Sequence, residues 1–581
     1  MIKQLKRSIR QYKKASILTP LLVSGEVVLE VLIPLAMAKL IDLGIDAENP
    51  SMVWKIGILM LLMCALSLTL GALSGRYAAI ASTGFARNLR HDLYYKVQDF
   101  AFSNIDKFST GGIVTRLTTD VTNVQNAYMM IIRVAVRCPV MLILSLCMAA
   151  SINAKLSLIF LGAAPILAIG LYFIMQNAFP LFQRTFRTYD KLNDLVQENL
   201  LGIRVVKGFV REDHEIEKFQ HTSKEIFQNF SKAERILAFN APLMQACIYG
   251  CMLLLAWLGA KAVVVGTLST GELMSFFIYT MQILMSLMML SMVFVMIAIA
   301  RTSAERICAV LKEESDIQEK EDCVTEVKDG SVEFRHVNFS YSGDEEKLCL
   351  KDANLTIQAG ETVGVLGGTG SAKTTLVQLI PRLYDVTSGE LLVGGVDVRD
   401  YSLETLRNAV AMVLQKNVLF SGTIADNLRW GKADATDEEM RHVCALAQAD
   451  SFIEGFPKQY DTWIEQGGSN VSGGQKQRLT IARALLKSPK ILILDDSTSA
   501  VDTATDSKIR AAFRDLLPDV TKIIIAQRIS SVMDADKIIL MENGRILNVG
   551  KHEELMEKEP MYREIYEAQS QLKGGGDYDA E

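Results

Sequence analysis

Cysteine is sparse and unpatterned in this 581-residue chain: nine occur, an odd number, with no CxxC pair. Five of them (Cys64, Cys138, Cys147, Cys247 and Cys251) fall in apolar stretches, so they read as reduced core residues and not as disulfides or metal ligands. An excess of basic charge is also missing. The formal net charge is −5, whereas phosphate backbones are bound by clustered lysine and arginine, so the composition argues against a nucleic-acid partner. Beyond residue 301 there is no further long apolar run. The first apolar segment lacks a small-x-small cleavage site, is long, and carries Glu26 and Glu30, all of which argue against a removed signal peptide.

What is present points to two unlike halves. The length asks for at least two domains, and a mean hydropathy of +0.21 beside 22% charged residues suggests a membrane half joined to a soluble one. Six apolar segments, near 16–45, 54–83, 128–150, 156–180, 242–265 and 271–300, are each long enough to cross a hydrocarbon core of about 30 Å as a helix. The N-terminal arm MIKQLKRSIRQYKK is basic and the first connection, DAENPSM, is acidic, which places the N-terminus in the cytoplasm. An even helix count then puts the C-terminal half there too. The two long connections, 84–127 and 181–241, fall inside and are expected to extend the helices into cytoplasmic stalks.

The expected organisation is a transmembrane domain over 1–312, a charged linker over 313–331, a soluble α/β domain over 332–572 and a disordered acidic tail over 573–581. In the soluble half, ETVGVLGGTGSAKTTLVQLI runs from a strand through Gly367, Gly368, Thr369, Gly370, Ser371 and Ala372 into an apolar helix. Such a loop turns backbone N–H groups onto phosphate oxygens; Lys373 reaches the terminal phosphates, Thr374 offers a hydroxyl to Mg²⁺, and Thr375 follows. The strict phosphate-loop pattern has glycine where this chain has Ala372. Right-handed angles there would tolerate alanine, which is the expectation; a positive φ would strain it by ~1–2 kcal/mol.

Further on, NVSGGQKQRLTIARALLKSPKILILDDSTSAVD places Val471, Ser472, Gly473, Gly474 and Gln475 before a helix and returns to an apolar strand that ends in Asp495 and Asp496. The phosphate loop, VSGGQ and ILILDD in this order resemble the ATPase domain of an ABC transporter. With six apolar segments in front, nearly the whole chain resembles a half-transporter of the ABC exporter type. That resemblance implies a six-helix membrane domain with cytoplasmic extensions, a P-loop α/β ATPase, ATP and Mg²⁺ as cofactors, and a multi-pass place in the lipid of a bacterial plasma membrane. It also implies that Tyr341 stacks on adenine, that Gln415 and Asp495 serve Mg²⁺, that Asp502 contacts the opposite subunit, and that each ATP lies between one chain's phosphate loop and the other's signature. The stretches 102–125 and 197–212 are similar to the cytoplasmic turns that dock on the ATPase domains in that family.

Two positions depart from the family pattern. Asp496 stands where the family has the glutamate that polarises water, and Gln527 where it has a histidine near the γ-phosphate; none of the six histidines is placed to substitute. An aspartate reaches about 1.5 Å less, a misplacement of roughly 1 Å can cost about a hundredfold in rate, and glutamine carries neither proton nor charge. Hydrolysis at this chain's own ATP is therefore expected to be slow, while the intact VSGGQ can serve a partner. A heterodimer with a different half-transporter fits best; a homodimer with two slow sites and an ATP-gated regulatory half without transport are the alternatives.

The substrate path is read from the membrane half. Met281, Met285, Met288, Met292 and Met296 recur at spacings of 4, 3, 4 and 4, a stripe suited either to adaptable apolar binding or to ordinary packing. In the family the sixth helix lines the central cavity, which implies a hydrophobic small-molecule cargo. Glu26 and Glu30 share one helix face inside the bilayer and either attract a cationic cargo or pair with basic residues of neighbouring helices. Arg133 and Arg137 are expected to snorkel to the cytoplasmic interface.

Overall fold

The computed structural model of the protein describes residues 1–496 and 501–574. It divides into two compact units, one of Met1–Gln98 with Phe108–Glu313 and one of Asp99–Lys107 with the chain from Glu314 onward.

The first unit is built on six helices long and apolar enough to span a membrane: α1 (Ile2–Ile45), α2 (Pro50–Gln98), α3 (Thr110–Ile152), α4 (Ala154–Leu201), α5 (Glu212–Val264) and α6 (Thr270–Lys312). At about 1.5 Å per residue, the 49 residues of α2 reach about 74 Å, far more than a hydrocarbon core requires. Tight turns separate them where the sequence supplies caps. Asn153 accepts the N–H groups of Lys155 and Leu156 to start α4, and Ser269 with Glu272 forms a capping box at α6. Val23, Val27 and Val31, four apart on one face of α1, pack with Met141, Phe160, Leu255, Phe276 and Ile283, and the buried Tyr279 hydroxyl donates to the Val31 carbonyl at 2.9 Å. Outward positions such as Trp54, Leu61, Leu68 and Leu161 are apolar and exposed, as lipid-facing residues must be.

The second unit is α/β. A four-stranded antiparallel sheet holds β1 (Val332–Phe339), β2 (Leu350–Ile357), β4 (Ser388–Val393) and β5 (Val396–Asp397) in the order β2-β1-β4-β5. A six-stranded sheet holds β3 (Thr362–Gly367), β6 (Val410–Val413), β9 (Ile491–Asp495), β10 (Thr521–Ile525), β11 (Lys537–Glu542) and β12 (Arg545–Gly550) in the order β12-β11-β3-β10-β9-β6. The short β7 (Gly422–Thr423) and β8 (Trp463–Ile464) pair separately. All pairings in the large sheet are parallel except β11 with β12. Parallel strands are covered on both faces, which is why ILILD of β9 and TKIII of β10 are buried at every position.

The 313–331 stretch is not a free linker. Its Ile317 and Val327 are buried, and Val324 bridges to Tyr401 of the same unit. Helix Pro560–Gly574 continues through the first two residues of the expected tail; the remainder lies outside the described residues. All nine cysteines are free thiols.

Candidate functional site

Sheet order decides what meets at the C-terminal edge of the parallel strands. β3, β10, β9 and β6 are consecutive neighbours, with Ile525 in register with both Val365 and Asp495, and Val413 with Leu494. The phosphate loop after β3, Gln527 after β10, Asp495 and Asp496 at the end of β9, and Gln415 after β6 are thereby delivered to one place. Open parallel sheets bind ligands at this edge.

The loop's backbone admits little but glycine at Gly367: a Cβ there would lie 2.2 Å from the Met541 carbonyl. Helix α7 (Lys373–Leu379) begins directly after Ala372, whose φ of 70° and ψ of 24° are left-handed. The expected tolerance of alanine is therefore overturned. The turn that reverses the chain from loop into helix needs a positive φ, and the methyl group makes that costly.

Lys373 Nζ lies folded inside the loop, donating to the carbonyls of Gly367 at 2.8 Å and Gly368 at 2.7 Å. Thr374 Oγ1 donates to Asp495 Oδ1 at 3.1 Å, so a hydroxyl and a carboxylate converge beside the loop. Mg²⁺ is commonly held by one or two such oxygens plus substrate phosphates, and this pair fits it. Among the described residues there is no cluster of three or more His, Cys, Asp or Glu that would serve an all-protein metal cage.

Asp496 stands at a φ of 47°, a region aspartate tolerates better than most residues. Its Oδ2 accepts from Gln527 Nε2 at 2.7 Å and from Gln415 Nε2 at 3.4 Å. Burial pushes the Asp496 carboxyl above its ordinary range against these two amides and Lys373. Burial likewise raises Asp495, against the Thr374 hydrogen bond, and lowers Lys373, against both aspartates.

Tyr341 and the loop from Gly370 to Thr375 line a cleft of about 480 Å³. Tyr341 is 48% exposed, and its hydroxyl lies 3.0 Å from Thr375 Oγ1. Asn543 and Gly544 line the same cleft, and sequence reasoning missed them. The Asn-Gly pair is legible as a hairpin turn, but nothing in it announces that the turn sits beside the phosphate loop. Tyr384 was also missed. It packs edge-on to Tyr341 at 5.2 Å between ring centroids, and its hydroxyl donates to Asp106 Oδ2 at 2.9 Å, joining the cleft to the 99–107 segment.

The signature is elsewhere. Ser472 caps helix α8 (Gly473–Leu485) in a capping box with Gln475, and none of Val471, Ser472, Gly473, Gly474 or Gln475 is among the described residues lining the cleft. Asp502 caps helix α9 (Thr503–Leu516), accepting from the Thr505 N–H at 2.9 Å. The residues between them and Asp496, 497–500, lie outside the described ones.

The first unit has its own cavity, of about 820 Å³, between α1, α3 and α6. Arg137 does not snorkel. Its guanidinium donates to Glu26 at 2.6 Å and to both oxygens of Glu30 at 2.7 and 2.8 Å, because leaving two carboxylates unpaired there would cost far more than a shared partner. Met281 and Met285 line the cavity, joined by Met289. Met288 packs instead with Leu167, Met244 and Leu284, while Met292 is exposed and Met296 half-buried. The stripe splits because the cavity face of α6 is centred toward Gln282 and Ser286, which leaves Met288 at its edge.

Two family models match the chain: residues 17–288 match the ABC transporter transmembrane region, and 350–499 match the ABC transporter model. An uncharacterized ABC transporter ATP-binding protein, YfiB of Bacillus subtilis (strain 168), is 35% identical over 97% of this chain and 98% of its own. The ATP-dependent lipid A-core flippase of Desulfotalea psychrophila is 33% identical over 89% of this chain and 91% of its own. A second uncharacterized Bacillus subtilis transporter protein, YfiC, is 30% identical over 97% of this chain and 93% of its own.

Proposed function

Because this chain belongs to the ABC transporter family, with a membrane domain and an ATPase domain fused in one polypeptide, we propose that it is one half of a heterodimeric exporter. Transport driven by ATP follows from the family; the partner's identity, the division of labour and the cargo are our reading. This chain holds its own ATP with little hydrolysis and lends its signature to the partner's.

The observation that carries the reading is the state of Asp496. A general base must come within about 2.6–3.2 Å of the proton it takes. Asp496 is one methylene short of the family's glutamate, and its Oδ2 is already the acceptor for Gln527 and Gln415. Neither amide can carry the proton onward. In the same chain Ser472 and Gln475 keep the α8 N-terminus in order, ready to meet the phosphates of a nucleotide held by a second chain.

In this reading Tyr341 stacks on adenine, the loop from Gly367 to Thr375 cradles phosphates, and Lys373 turns from the loop carbonyls to the terminal phosphate. Thr374, Gln415 and Asp495 hold Mg²⁺, directly or through water. The ion supplies charge neutralisation of the phosphates. Asp502 orders the loop that faces the other subunit. The N-terminus and ATPase domain lie in the cytoplasm, and the long helices carry closure of the ATPase pair to the membrane cavity. The cargo is hydrophobic or amphipathic, in keeping with the lipid A-core flippase activity for which the Desulfotalea psychrophila relative is named and with the methionine wall of the cavity.

The test is affinity purification of this chain from its native membrane, followed by uptake into inverted vesicles. A second, non-identical half-transporter with Glu and His at the two positions should copurify, and uptake should need both chains and ATP. Recovery of this chain alone, active as a homodimer, would overturn the heterodimer.

A further inference from the structure

The cavity between α1, α3 and α6 carries an unusual pattern of charge. Arg137 pairs with Oε1 of Glu26 and with both oxygens of Glu30, while the buried Oε2 of Glu26 has no hydrogen-bond partner among the described residues. The fourth charged residue lining it, Arg133, has no ion-pair or hydrogen-bond partner among the described residues. Its guanidinium lies beside Gly75 of α2, 3.6 to 3.8 Å from where a Cβ would be, and the Glu26 carboxylate lies against Gly71, one turn away on the same helix. Ser145 donates to Gln282 Oε1 at 2.9 Å and Gln282 Nε2 donates to the Glu30 carbonyl at 3.3 Å, which fixes the polar end of the cavity. Met281, Met285 and Met289 form the apolar side.

The carboxylate–guanidinium–carboxylate group bears one excess negative charge, and Arg133, about one helical turn from the Glu26 carboxylate, bears one positive charge with no direct ion pair among the described residues. Together the four cancel. A purely anionic guest would satisfy Arg133 but leave the low-dielectric cavity negative, and a cationic one would leave it positive with Arg133 still unpaired. Both outcomes are costly where desolvated charge must be matched. A guest carrying both signs satisfies each group and keeps the cavity neutral.

We infer that this cavity binds a zwitterionic amphiphile: its anionic group meets Arg133, its cationic group meets the exposed side of Glu30, and its apolar chain lies along the methionines. The inference rests on the export reading for its purpose, but the binding itself needs no ATP.

The experiment is nucleotide-free binding to the full-length protein in detergent or nanodiscs, by displacement of a fluorescent fatty-chain probe. Three chain-matched amphiphiles are compared: a lysophosphatidylcholine, a lysophosphatidylglycerol and an alkyltrimethylammonium. The zwitterion should bind at least tenfold tighter than either charged probe. Arg133→Gln should shift the preference to the cationic probe, and Glu30→Gln to the anionic one. A two-chain phosphatidylcholine in the nanodisc competing as well as the lyso form identifies bilayer lipid as the source; failure to compete identifies a soluble amphiphile, and either upholds the shared chemistry. Equal binding of all three probes, a charged probe binding best, or an unchanged ranking in Arg133→Gln would overturn the inference. Arg133→Gln leaves the Arg137 group whole, so it tests the idea even if Glu30→Gln misfolds. Vesicle uptake that fails while this selectivity holds would count against transport and not against the cavity.

Discussion

Replacing Asp496 with asparagine removes one charge and nearly no volume. The carboxylate accepts from Gln527 at 2.7 Å and Gln415 at 3.4 Å, and asparagine keeps one oxygen that can still accept from the nearer amide. The packing consequence is thus small, on the order of 1 kcal/mol for a weakened hydrogen bond. The catalytic consequence depends on where hydrolysis occurs. A working general base contributes about 10²–10⁴ in rate, or about 3–5 kcal/mol at 1.36 kcal/mol per tenfold. If Asp496 were that base, steady-state ATPase of the assembled transporter would fall by two or more orders of magnitude. In our reading the partner's carboxylate does the work, so Asp496→Asn should change turnover by less than about twofold, whereas Ser472→Arg should nearly abolish it by spoiling the signature. The assay is Mg²⁺-dependent ATPase of the purified pair in nanodiscs, with thermal melting to confirm that both variants are folded. A tenfold or greater loss in Asp496→Asn, with Ser472→Arg still active, would refute the division of labour.

Ala372→Gly should raise the melting temperature of the ATPase domain by a few degrees. It relieves ~1–2 kcal/mol of left-handed strain and gives back ~0.4–1 kcal/mol through the freer unfolded chain, a net gain read by calorimetry. Arg137→Leu should destabilise the membrane unit by roughly 3 kcal/mol, near the low end for a broken buried pair because Glu30 keeps some exposure, and detergent melting curves will register it. Burial raises both Asp495 and Asp496, so acidification should have two opposite effects. The nucleotide-free protein gains stability as pH falls through their raised values, because the folded state takes up protons before the unfolded one. Mg²⁺-ATP affinity falls over the same range, because Asp495 loses its charge, and Asp495→Asn should abolish that pH dependence in titration calorimetry. Tyr384→Phe removes the hydrogen bond to Asp106 but keeps the ring against Tyr341; ATP binding should persist while transport per ATP hydrolysed falls, measured as the ratio of vesicle uptake to phosphate release.

Much of this molecule is determined locally and can be read from the sequence. Six apolar segments must be helices because a bilayer leaves no other way to satisfy their backbone groups. ILILD had to be a strand buried on both faces, and Ser472 with Gln475 three residues later is a capping box in the sequence as much as in space. Other features are relations between residues far apart in the chain, which no local pattern encodes. Gln415, Asp496 and Gln527 share one oxygen only because the sheet order is β3-β10-β9-β6. Ala372 reads as an innocent substitution until the loop's reversal into α7 forces its φ to 70°. The basic residue that neutralises Glu26 and Glu30 is Arg137, 111 and 107 residues away, chosen over Arg133 by how α1 and α3 pack. Sequence fixes which charges and turns exist; packing decides which of them meet, because pairing energy depends on distance and burial that only the folded chain defines.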